Sequence, residues 1–465
     1  MSSLLRFSVA PAVQATEAPP IPKAQGWGRE YVKTPTHGDL LDLSQGVPKS
    51  APHQDVLNAL AVSSSDPLSA KYGPILGESS LREAYAEEIR IQYQLSTPHS
   101  ASRPESESEQ GVRGVNMEDV AITTGCNMAF LTLIMALCPP SKSSVLIPLP
   151  SYFNQMMVFS LQSVKPIYIP CDTTNAFKPS LSTTREYLST KQNNNAKEQV
   201  KMICLVSPNN PTGSVYSHKE IKEWYDLARE FGIALVLDET YRDFVEDENG
   251  ERGVPHKLFE EPDWRETLIS LGSFSKGYRI PGHRLGSIIA SPALLKHITT
   301  ICDCMQICAP RPPQIALSSL LPSLRSDLTS SSKALSHRRD LFSKVVNSIQ
   351  GWNVVSIGGY FAYVSFPSDY SFASSTVGLK RKKLGSEDIA KLMATKLGVV
   401  TLPGSFFMPN LKDDDIWEND VLKGGEELKD DKWLRFAVAN VEDEVILKLG
   451  PRLKEMNKLM GMDEE

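Results

Sequence analysis

Short apolar runs alternate with helix-like stretches through the middle of the chain. Seven of these runs are predicted strands: Val120 to Thr123, Val145 to Pro148, Pro166 to Ile169, Met202 to Val206, Ile233 to Leu237, Leu268 to Leu271 and Ser287 to Ala290. Helical patterns such as Met128 to Leu137 and His218 to Phe231 lie between them. Because the runs are almost continuously apolar, helices must cover both faces of the sheet. The alternation predicts an α/β fold whose large domain holds a seven-stranded, mostly parallel sheet.

Beyond Pro322 the pattern changes to long helices with few strands, among them Tyr360 to Phe366 and Arg435 to Val438. We therefore predict a smaller α+β domain built from the N-terminal and C-terminal parts of the chain. The predicted divisions are a flexible lead-in at residues 1–28, an N-terminal arm and part of the small domain at 29–75, the large domain at 76–325 and the C-terminal small domain at 326–465. The Ser/Glu-rich residues 96–114 and the acidic residues 410–432 are predicted surface insertions.

Composition and charge exclude several classes of protein. The 465 residues are 41% hydrophobic and 22% charged, with a mean hydropathy of -0.23, which is typical of a globular protein with a sizeable core. Lysine and arginine total 49 against 55 aspartate and glutamate, and no polybasic block suits nucleic acid or anionic lipid. No apolar run reaches the roughly 18 residues that span a bilayer. We therefore predict no nucleic-acid partner and no membrane association.

Seven cysteines are too few and too scattered for a disulfide framework, which favours a reducing compartment. We predict a cytoplasmic location and leave a mitochondrial one open, since the first 28 residues are only weakly basic. The cluster Cys302, Cys304 and Cys308 has spacings that do not suit zinc, and a helix would point the first two thiols apart. We predict no metal site.

Candidate chemistry falls at the carboxyl ends of the predicted strands, where an open α/β sheet binds its ligands. Thr124-Gly125-Cys126-Asn127 separates a strand from a helix. A glycine turn there leaves backbone N–H groups free at a helix N-terminus, which suits a phosphate group, although an ordinary capped turn has the same composition. Asp238 directly follows another strand, where a carboxylate can face a protonated ring nitrogen or simply belong to a solvated turn.

Two further strand ends carry unusual side chains. Asn210 lies within Ser207 to Gly213, a long turn after an apolar strand. Lys276 ends the sequence Ser-Phe-Ser-Lys after a different strand, and Arg284 follows eight residues later. An isolated lysine is usually a solvated surface charge, but a neighbouring cation and removal from water both lower the pKa of its amine and make it a nucleophile toward aldehydes. Lys276 is therefore a candidate for Schiff-base chemistry.

The motifs together resemble those of the fold-type I, pyridoxal-phosphate-dependent aminotransferases of class I and II, the superfamily that includes aspartate aminotransferase. The resemblance covers roughly residues 40 to 450. It depends, in chain order, on Leu43 to Pro48, Tyr72 with Gly77, Leu81 and Arg82, Thr124 to Asn127, Pro150 to Tyr152, Asn210 to Gly213, Asp238 to Tyr241, Ser273 to Lys276, Pro403 to Phe406 and Arg435.

The resemblance implies roles for these residues around pyridoxal phosphate. Lys276 would be the Schiff-base lysine and would move the proton during catalysis, while Asp238 would keep the pyridine nitrogen protonated. Tyr241 and Asn210 would hydrogen-bond the ring oxygen, and Tyr152 would stack on the ring. The phosphate would be surrounded by Gly125, Cys126, Asn127, Ser273, Ser275, Arg284 and, from a neighbouring subunit, Tyr72. The resemblance therefore also implies a homodimer.

The resemblance also implies which residues bind the substrate. Arg435 would hold the substrate carboxylate as a planar fork, and Gly46 and Asn210 would line the same site. No second arginine is evident for a dicarboxylate, so we expect a neutral or aromatic amino donor. The predicted activity is transfer of its α-amino group to a 2-oxo acid by a ping-pong mechanism. Two alternatives stay open: a pyridoxal-phosphate-dependent lyase or cyclase, such as a C–S β-lyase or an aminocyclopropanecarboxylate synthase-like enzyme, and a non-catalytic cofactor-binding homologue.

Overall fold

The structure is a computed structural model that describes residues 7–95, 114–193, 198–367 and 384–462, so most of the predicted insertion at 96–114 lies outside the described residues. The strands within these ranges are β1 (Leu41–Asp42), β2 (Val120–Thr123), β3 (Ser143–Leu149), β4 (Lys165–Asp172), β5 (Lys178–Pro179), β6 (Gln199–Val206), β7 (Ala234–Asp238), β8 (Leu268–Ser273), β9 (Gly286–Ile289), β10 (Asn353–Gly358), β11 (Phe361–Ser365), β12 (Val399–Val400), β13 (Leu402–Pro403) and β14 (Trp433–Ala437). The helices are α1 (Pro11–Ala15), α2 (Ile21–Val32), α3 (Gln54–Ser65), α4 (Ser79–Gln92), α5 (Cys126–Leu137), α6 (Phe153–Gln162), α7 (Leu181–Asn193), α8 (His218–Glu230), α9 (Phe274–Gly277), α10 (Pro292–Met305), α11 (Arg311–Ser318), α12 (Arg325–Asn347), α13 (Ser386–Leu397), α14 (Asp414–Asn419) and α15 (Asp443–Leu459).

The largest sheet has the strand order β2-β9-β8-β7-β6-β3-β4-β5. Its central strands β8, β7, β6, β3 and β4 pair in parallel, and β9 is antiparallel to both of its neighbours. All seven predicted strands are present, and the prediction of a mostly parallel α/β sheet is confirmed. The eighth strand, β5, pairs antiparallel with β4. It has only two residues, so its sequence contains no pattern that could identify it.

Both faces of this sheet are buried, because successive side chains of a strand point to opposite sides. Leu146 of β3 packs in the same cluster as Trp224 of α8. Its neighbours Val145 and Ile147 pack in a different cluster, together with Phe130 of α5. All seven residues of β3 are buried. A continuously apolar sequence is therefore what a central strand of this sheet requires.

The pairing register aligns the ends of several strands along one edge of the sheet. Val206 of β6 pairs with Asp238 of β7, and Asp238 pairs with Leu271 of β8. Thr123 of β2 and Ser273 of β8 both pair with Gly286 of β9. The turns that follow β2, β6, β7 and β8 consequently meet at one edge, where an open α/β sheet binds its ligands.

A smaller sheet, in the order β10-β11-β14-β13, and the parallel pair β1-β12 form the rest of the strand structure. Phe342 of α12, Met393 of α13 and Leu453 of α15 share one core cluster with Leu434 and Phe436 of β14. β11 and β14 match the strands predicted near residues 360 and 435. Because β1 pairs with β12, the N-terminal part of the chain joins the C-terminal part here.

The sequence predicts a flexible lead-in at residues 1–28, but the described part of this segment contains α1 and the start of α2. Ala24, Trp27 and Tyr31 form one buried face of α2 at helical spacing. Trp27 packs against Phe406, with ring centroids 6.2 Å apart. Helical spacing of apolar residues, which composition alone does not reveal, therefore packs α2 against the rest of the protein.

The acidic segment at residues 410–432 contains α14 and lies against the edge of the large sheet. The Tyr168 amide donates to the Asp420 carbonyl over 2.7 Å, and the Leu422 amide donates to the Tyr168 carbonyl over 2.9 Å. These bonds satisfy backbone groups of β4 that would otherwise be unpaired. No helix in the described ranges has the length and apolar character needed to cross a membrane.

Candidate active site

The turns at the sheet edge bring predicted site residues together. Gly125 follows β2, Asn210 follows β6, Asp238 ends β7 and Lys276 lies in α9, directly after β8. Arg435 comes from β14 of the smaller sheet and donates to Asn210 Oδ1 over 3.0 Å. The site therefore lies where the two sheets approach each other.

Lys276 is held by contacts at its amine. The Lys276 Nζ atom donates to the Gly46 carbonyl over 2.5 Å and lies 5.8 Å from the centre of the Tyr241 ring. Burial, followed by the charges of Arg435 and Arg284, lowers the pKa of Lys276 to about 8. A substantial fraction of the amine is therefore neutral near physiological pH, which is the form that attacks a carbonyl.

Asp238 is a buried carboxylate supported by several donors. Its Oδ1 atom accepts hydrogen bonds from the Thr240 amide over 3.1 Å and the Thr240 hydroxyl over 2.7 Å. Its Oδ2 atom accepts from Gln155 Nε2 over 3.2 Å, and the Cys126 thiol lies 3.7 Å from Oδ1. Burial raises the pKa of Asp238, while the Thr240 bonds act in the opposite direction. Within the described residues Asp238 forms no ion pair, so its charge would be stabilised by a cationic ligand.

The turn after β2 lies directly beside an arginine. Gly125 has φ +82° and precedes Cys126, the first residue of α5. A Cβ atom at Gly125 would collide with the Arg284 guanidinium, so only glycine suits this position. Ser273 caps α9 by accepting from the Ser275 amide over 3.2 Å. Two helix N-termini and an exposed arginine together suit an anion.

Arg435 is the most enclosed cation of the site, with only 2% of the residue exposed. Its guanidinium lies 4.5 Å from the centre of the Phe361 ring and 5.1 Å from that of Phe407. One terminal nitrogen donates to Asn210 and the other to the Ser44 carbonyl, whereas Nε has no partner among the described residues. Burial lowers the pKa of Arg435 to about 10, so it stays charged at neutral pH. A planar carboxylate is the ligand that such a fork binds best.

Aromatic side chains form much of the surrounding wall. Tyr241 meets Phe361 edge to face, with ring centroids 5.3 Å apart. Gly46 approaches the same ring so closely that a Cβ atom would lie 2.7 Å from Phe361 Cε1. Tyr152 is the residue before α6, and burial raises the pKa of Tyr152 to about 12. The tyrosines therefore stay protonated and can donate hydrogen bonds.

Tyr72 is not brought into this group. Its side chain is 79% exposed on the described chain. Its proposed place at the phosphate of a neighbouring subunit therefore stays a prediction.

Sequence reasoning missed several residues that contact the central groups, among them Gln155 and Tyr360. Gln155 donates to Asp238, and the Tyr360 hydroxyl donates to the Lys276 carbonyl over 3.1 Å. Gln155 lies three residues after Tyr152 at the start of α6, a helical spacing that indicates the same side of the helix. Tyr360 gives no local signal, because its contact depends on how β11 packs against the large sheet.

Sequence comparison identifies the class of protein. A family model described as aminotransferase class I and II matches residues 38–452. The chain belongs to this family, and it is a pyridoxal-phosphate-dependent aminotransferase of fold type I.

Individual relatives agree with this assignment. The chain is 26% identical over 295 residues to an aspartate aminotransferase from Sulfurisphaera tokodaii, which covers 63% of this chain and 68% of the relative. It is 25% identical over 368 residues to the aromatic aminotransferase ISS1 from Arabidopsis thaliana, which covers 78% of this chain and 81% of the relative. The structure of an aspartate aminotransferase from Rhizobium meliloti matches the fold with a TM-score of 0.78 at 19% identity, covering 98% of this chain and all of that one.

The residues present fit pyridoxal phosphate. Asp238 lacks a cation that a protonated ring nitrogen would supply, and the exposed Arg284 guanidinium beside the start of α5 suits a phosphate. The amine of Lys276 has the lowered pKa that condensation with an aldehyde needs. Among the described residues, no three His, Cys, Asp or Glu side chains are close enough together to hold a metal ion.

Proposed function

We propose that the protein transfers the α-amino group of a neutral or aromatic amino acid to a 2-oxo acid by a ping-pong mechanism. The observation that carries the proposal is the surroundings of Arg435, a carboxylate-binding fork flanked by Phe361 and Phe407. Aromatic walls favour apolar side chains, because an unpaired second carboxylate would lose its hydration there. The name of the Arabidopsis relative, an aromatic aminotransferase, is consistent with this choice.

The proposed roles divide between cofactor and substrate. Pyridoxal phosphate, when bound, supplies an aldehyde that exchanges amines and a ring that accepts electrons. Lys276 would attach the cofactor, and the pKa of about 8 would let its Nζ atom accept and release a proton near neutral pH. Asp238 would face the ring nitrogen and favour its protonated form, and Tyr241 and Asn210 would hydrogen-bond the ring oxygen. Tyr152 would lie against the ring.

The phosphate is the proposed ligand of the turns after β2 and β8. Arg284 contributes charge, and the hydroxyl and amide groups of the two turns contribute hydrogen bonds. The proposed phosphate ligands from this chain are Gly125, Cys126, Asn127, Ser273, Ser275 and Arg284. Since Cys126 is the first residue of α5, its contribution is its backbone N–H, and its thiol faces Asp238 instead.

Substrate orientation is assigned to Arg435, Asn210 and Gly46. The Arg435 fork would receive the α-carboxylate, and Gly46 would allow the substrate to approach the backbone, which a side chain would prevent. A planar fork would fix the orientation of the bound carboxylate relative to Lys276.

We also propose a homodimer in which Tyr72 reaches the partner's cofactor phosphate. Tyr72, Leu68 and Ile307 are exposed by 79%, 58% and 39%. Their segments adjoin, because the Gly73 amide donates to Cys308 Sγ over 3.3 Å and Arg311 donates to the Leu68 carbonyl. Such a patch suits a protein interface. Sedimentation should give a dimer, and Tyr72→Phe should weaken cofactor affinity without changing the dimer.

The remaining proposals concern the location of the protein in the cell and the boundaries of its domains. The seven cysteines are unpaired, which supports a cytoplasmic location, with a mitochondrial location as the other outcome of imaging the tagged protein. We propose domain limits of 76–325 for the large domain and 326–465 for the C-terminal part of the small one, which limited proteolysis would test.

A panel of amino donors tests the activity. The purified protein is saturated with pyridoxal phosphate and mixed with one amino acid at a time, without an oxo acid. Transamination should convert the bound cofactor to its amine form once and release the matching oxo acid, with the largest rates for neutral or aromatic donors. Sustained release of ammonia would indicate a lyase, a cyclic product would indicate a cyclase, and no change with any donor would indicate a non-catalytic homologue.

A variant tests the role of the lysine. Lys276→Ala should abolish turnover and prevent covalent trapping by borohydride, while phosphate-site binding and fold persist. Lys201→Ala, at a half-buried position near the start of β6, is the matched control. Covalent trapping of the cofactor by borohydride in Lys276→Ala would refute the assignment of Lys276 as the Schiff-base lysine.

A further inference from the structure

We propose that Tyr360 is a positioning residue that holds Lys276 for its reaction with the cofactor, an inference that rests on the function proposed above for Lys276. Tyr360 is 2% exposed and precedes β11 of the smaller sheet. Its hydroxyl donates to the backbone carbonyl of Lys276 over 3.1 Å. The bond joins the small sheet to the main chain of the reactive residue.

Lys276 needs such support because its own helix is short. The helix α9 contains only four residues, and a helix of this length is not stable by itself. Ser273 caps its start, but the carbonyl of Lys276 lies in the last turn, where helical carbonyls lack partners within the helix. The Tyr360 hydroxyl is a hydrogen-bond partner for this carbonyl. The direction of the Lys276 side chain therefore depends on a residue far away in sequence.

The ring of Tyr360 acts at the other end of the same lysine. Lys276 Nζ lies 5.9 Å from the centre of the Tyr360 ring and 5.8 Å from that of Tyr241. The two rings are neighbours, with centroids 5.1 Å apart. Both distances fall within the range of about 6 Å in which an aromatic face attracts a cation. The two rings therefore stabilise the protonated amine of Lys276, whereas burial destabilises it.

Tyr360 is itself fixed from the large sheet and from α12. Arg339 is buried and donates to the Gly359 carbonyl over 2.6 Å, and it forms an ion pair with Glu246. Phe244 packs on the Tyr360 ring, with centroids 4.8 Å apart. These contacts give the hydroxyl a fixed position from which to hold the Lys276 carbonyl.

The test measures cofactor capture by the apo-protein, in which the Lys276 amine adds to the aldehyde carbon, a C=N bond forms, and the aldehyde oxygen leaves as water with the two amine protons. Tyr360→Phe removes only the hydroxyl. It should slow cofactor capture about tenfold, because the loss of one buried hydrogen bond changes a rate or equilibrium constant by a factor of about ten. Binding of 4′-deoxypyridoxine phosphate, which has no aldehyde, should be unchanged, because phosphate and ring contacts persist. Tyr360→Leu should also move the midpoint of the capture–pH profile to lower pH, because the ammonium loses an aromatic neighbour.

Tyr278→Phe is the matched control. Tyr278 is a buried tyrosine two residues after Lys276, and its hydroxyl has no hydrogen-bond partner among the described residues. Tyr278→Phe should capture the cofactor at the wild-type rate. Wild-type capture by Tyr360→Phe, or an equal loss of 4′-deoxypyridoxine phosphate affinity, would overturn the proposal. Continued covalent capture by Lys276→Ala would instead overturn the proposed function, so the two failures are distinct.

Discussion

The hydrogen bond between Gln155 and Asp238 gives a quantitative prediction for Gln155→Leu. Leucine has a similar size and removes the amide that donates to Asp238 Oδ2 over 3.2 Å. Hydrogen bonds to charged groups contribute about 1.5–3 kcal/mol, and the length of this one favours the lower figure. A loss of about 1.5 kcal/mol is roughly tenfold in an equilibrium constant.

The direction of the change follows from the electrostatics. Burial already raises the pKa of Asp238, and removing a donor from the carboxylate raises it further. Because the proposed partner of the cofactor nitrogen is the ionised carboxylate, the dissociation constant of pyridoxal phosphate should increase about tenfold. The loss should be larger at acidic pH, where more of Asp238 is protonated in the variant.

Fluorescence titration of the apo-protein between pH 6 and pH 9 measures this effect. Gln162→Leu, at the other end of α6, is the control for a glutamine-to-leucine change on the same helix and should bind like wild type. Gln155→Glu places a second carboxylate beside Asp238 and should bind more weakly than Gln155→Leu at neutral pH. Equal affinity of Gln155→Leu and wild type across the whole pH range would refute the reasoning.

Three further predictions use other groups of the structure. Arg435→Lys keeps the positive charge but loses the planar fork and with it two hydrogen bonds to the substrate carboxylate. The kcat/KM for amino donors should therefore fall about a hundredfold. A decrease of less than threefold in steady-state assays would contradict this prediction. Because the pKa of Lys276 is about 8, the rate of cofactor capture by the apo-protein should rise with pH and level off above pH 8, and a flat stopped-flow profile would argue against a titrating amine. Burial opposes the charge of Glu239, but Arg242 and His256 lower its pKa from 4.5 to about 2. The ionised Glu239 therefore contributes about 3 kcal/mol to the free energy of unfolding above pH 4.5, and this contribution is lost as the pH falls toward 2. In urea unfolding, Glu239→Gln should show a weaker dependence of the free energy of unfolding on pH over this range. The same pH dependence in Glu239→Gln and wild type would refute the prediction.

The sequence predicts the central part of the fold because each of its strands is buried on both faces. Leu146 and its neighbours Val145 and Ile147 need apolar partners on opposite sides, so the strand is visible as an uninterrupted apolar run. The positions of Asp238 and Lys276 follow from the same pattern, since parallel strands end at one edge. The strand β5 and the packed helix α2 were missed because one is too short and the other is marked only by helical spacing.

The contacts that tune the site were beyond reach of the sequence. Gln155 and Tyr360 act through tertiary packing, and a glutamine or a tyrosine in a helix or strand is ordinary by itself. The same holds for the rings of Phe361 and Phe407 on either side of Arg435, which come from separate segments of the chain. Local patterns locate reactive groups at strand ends, but they do not reveal which neighbours shift the pKa of those groups or hold them in place.

The residues of the site come from widely separated parts of the chain. The proposed ligands of the cofactor that this chain supplies all precede residue 285. Arg435, by contrast, hydrogen-bonds Ser44 and Asn210, residues made 391 and 225 positions earlier. The fork around Arg435 can therefore form only after the chain has been synthesised beyond residue 435, and its formation brings three distant segments together.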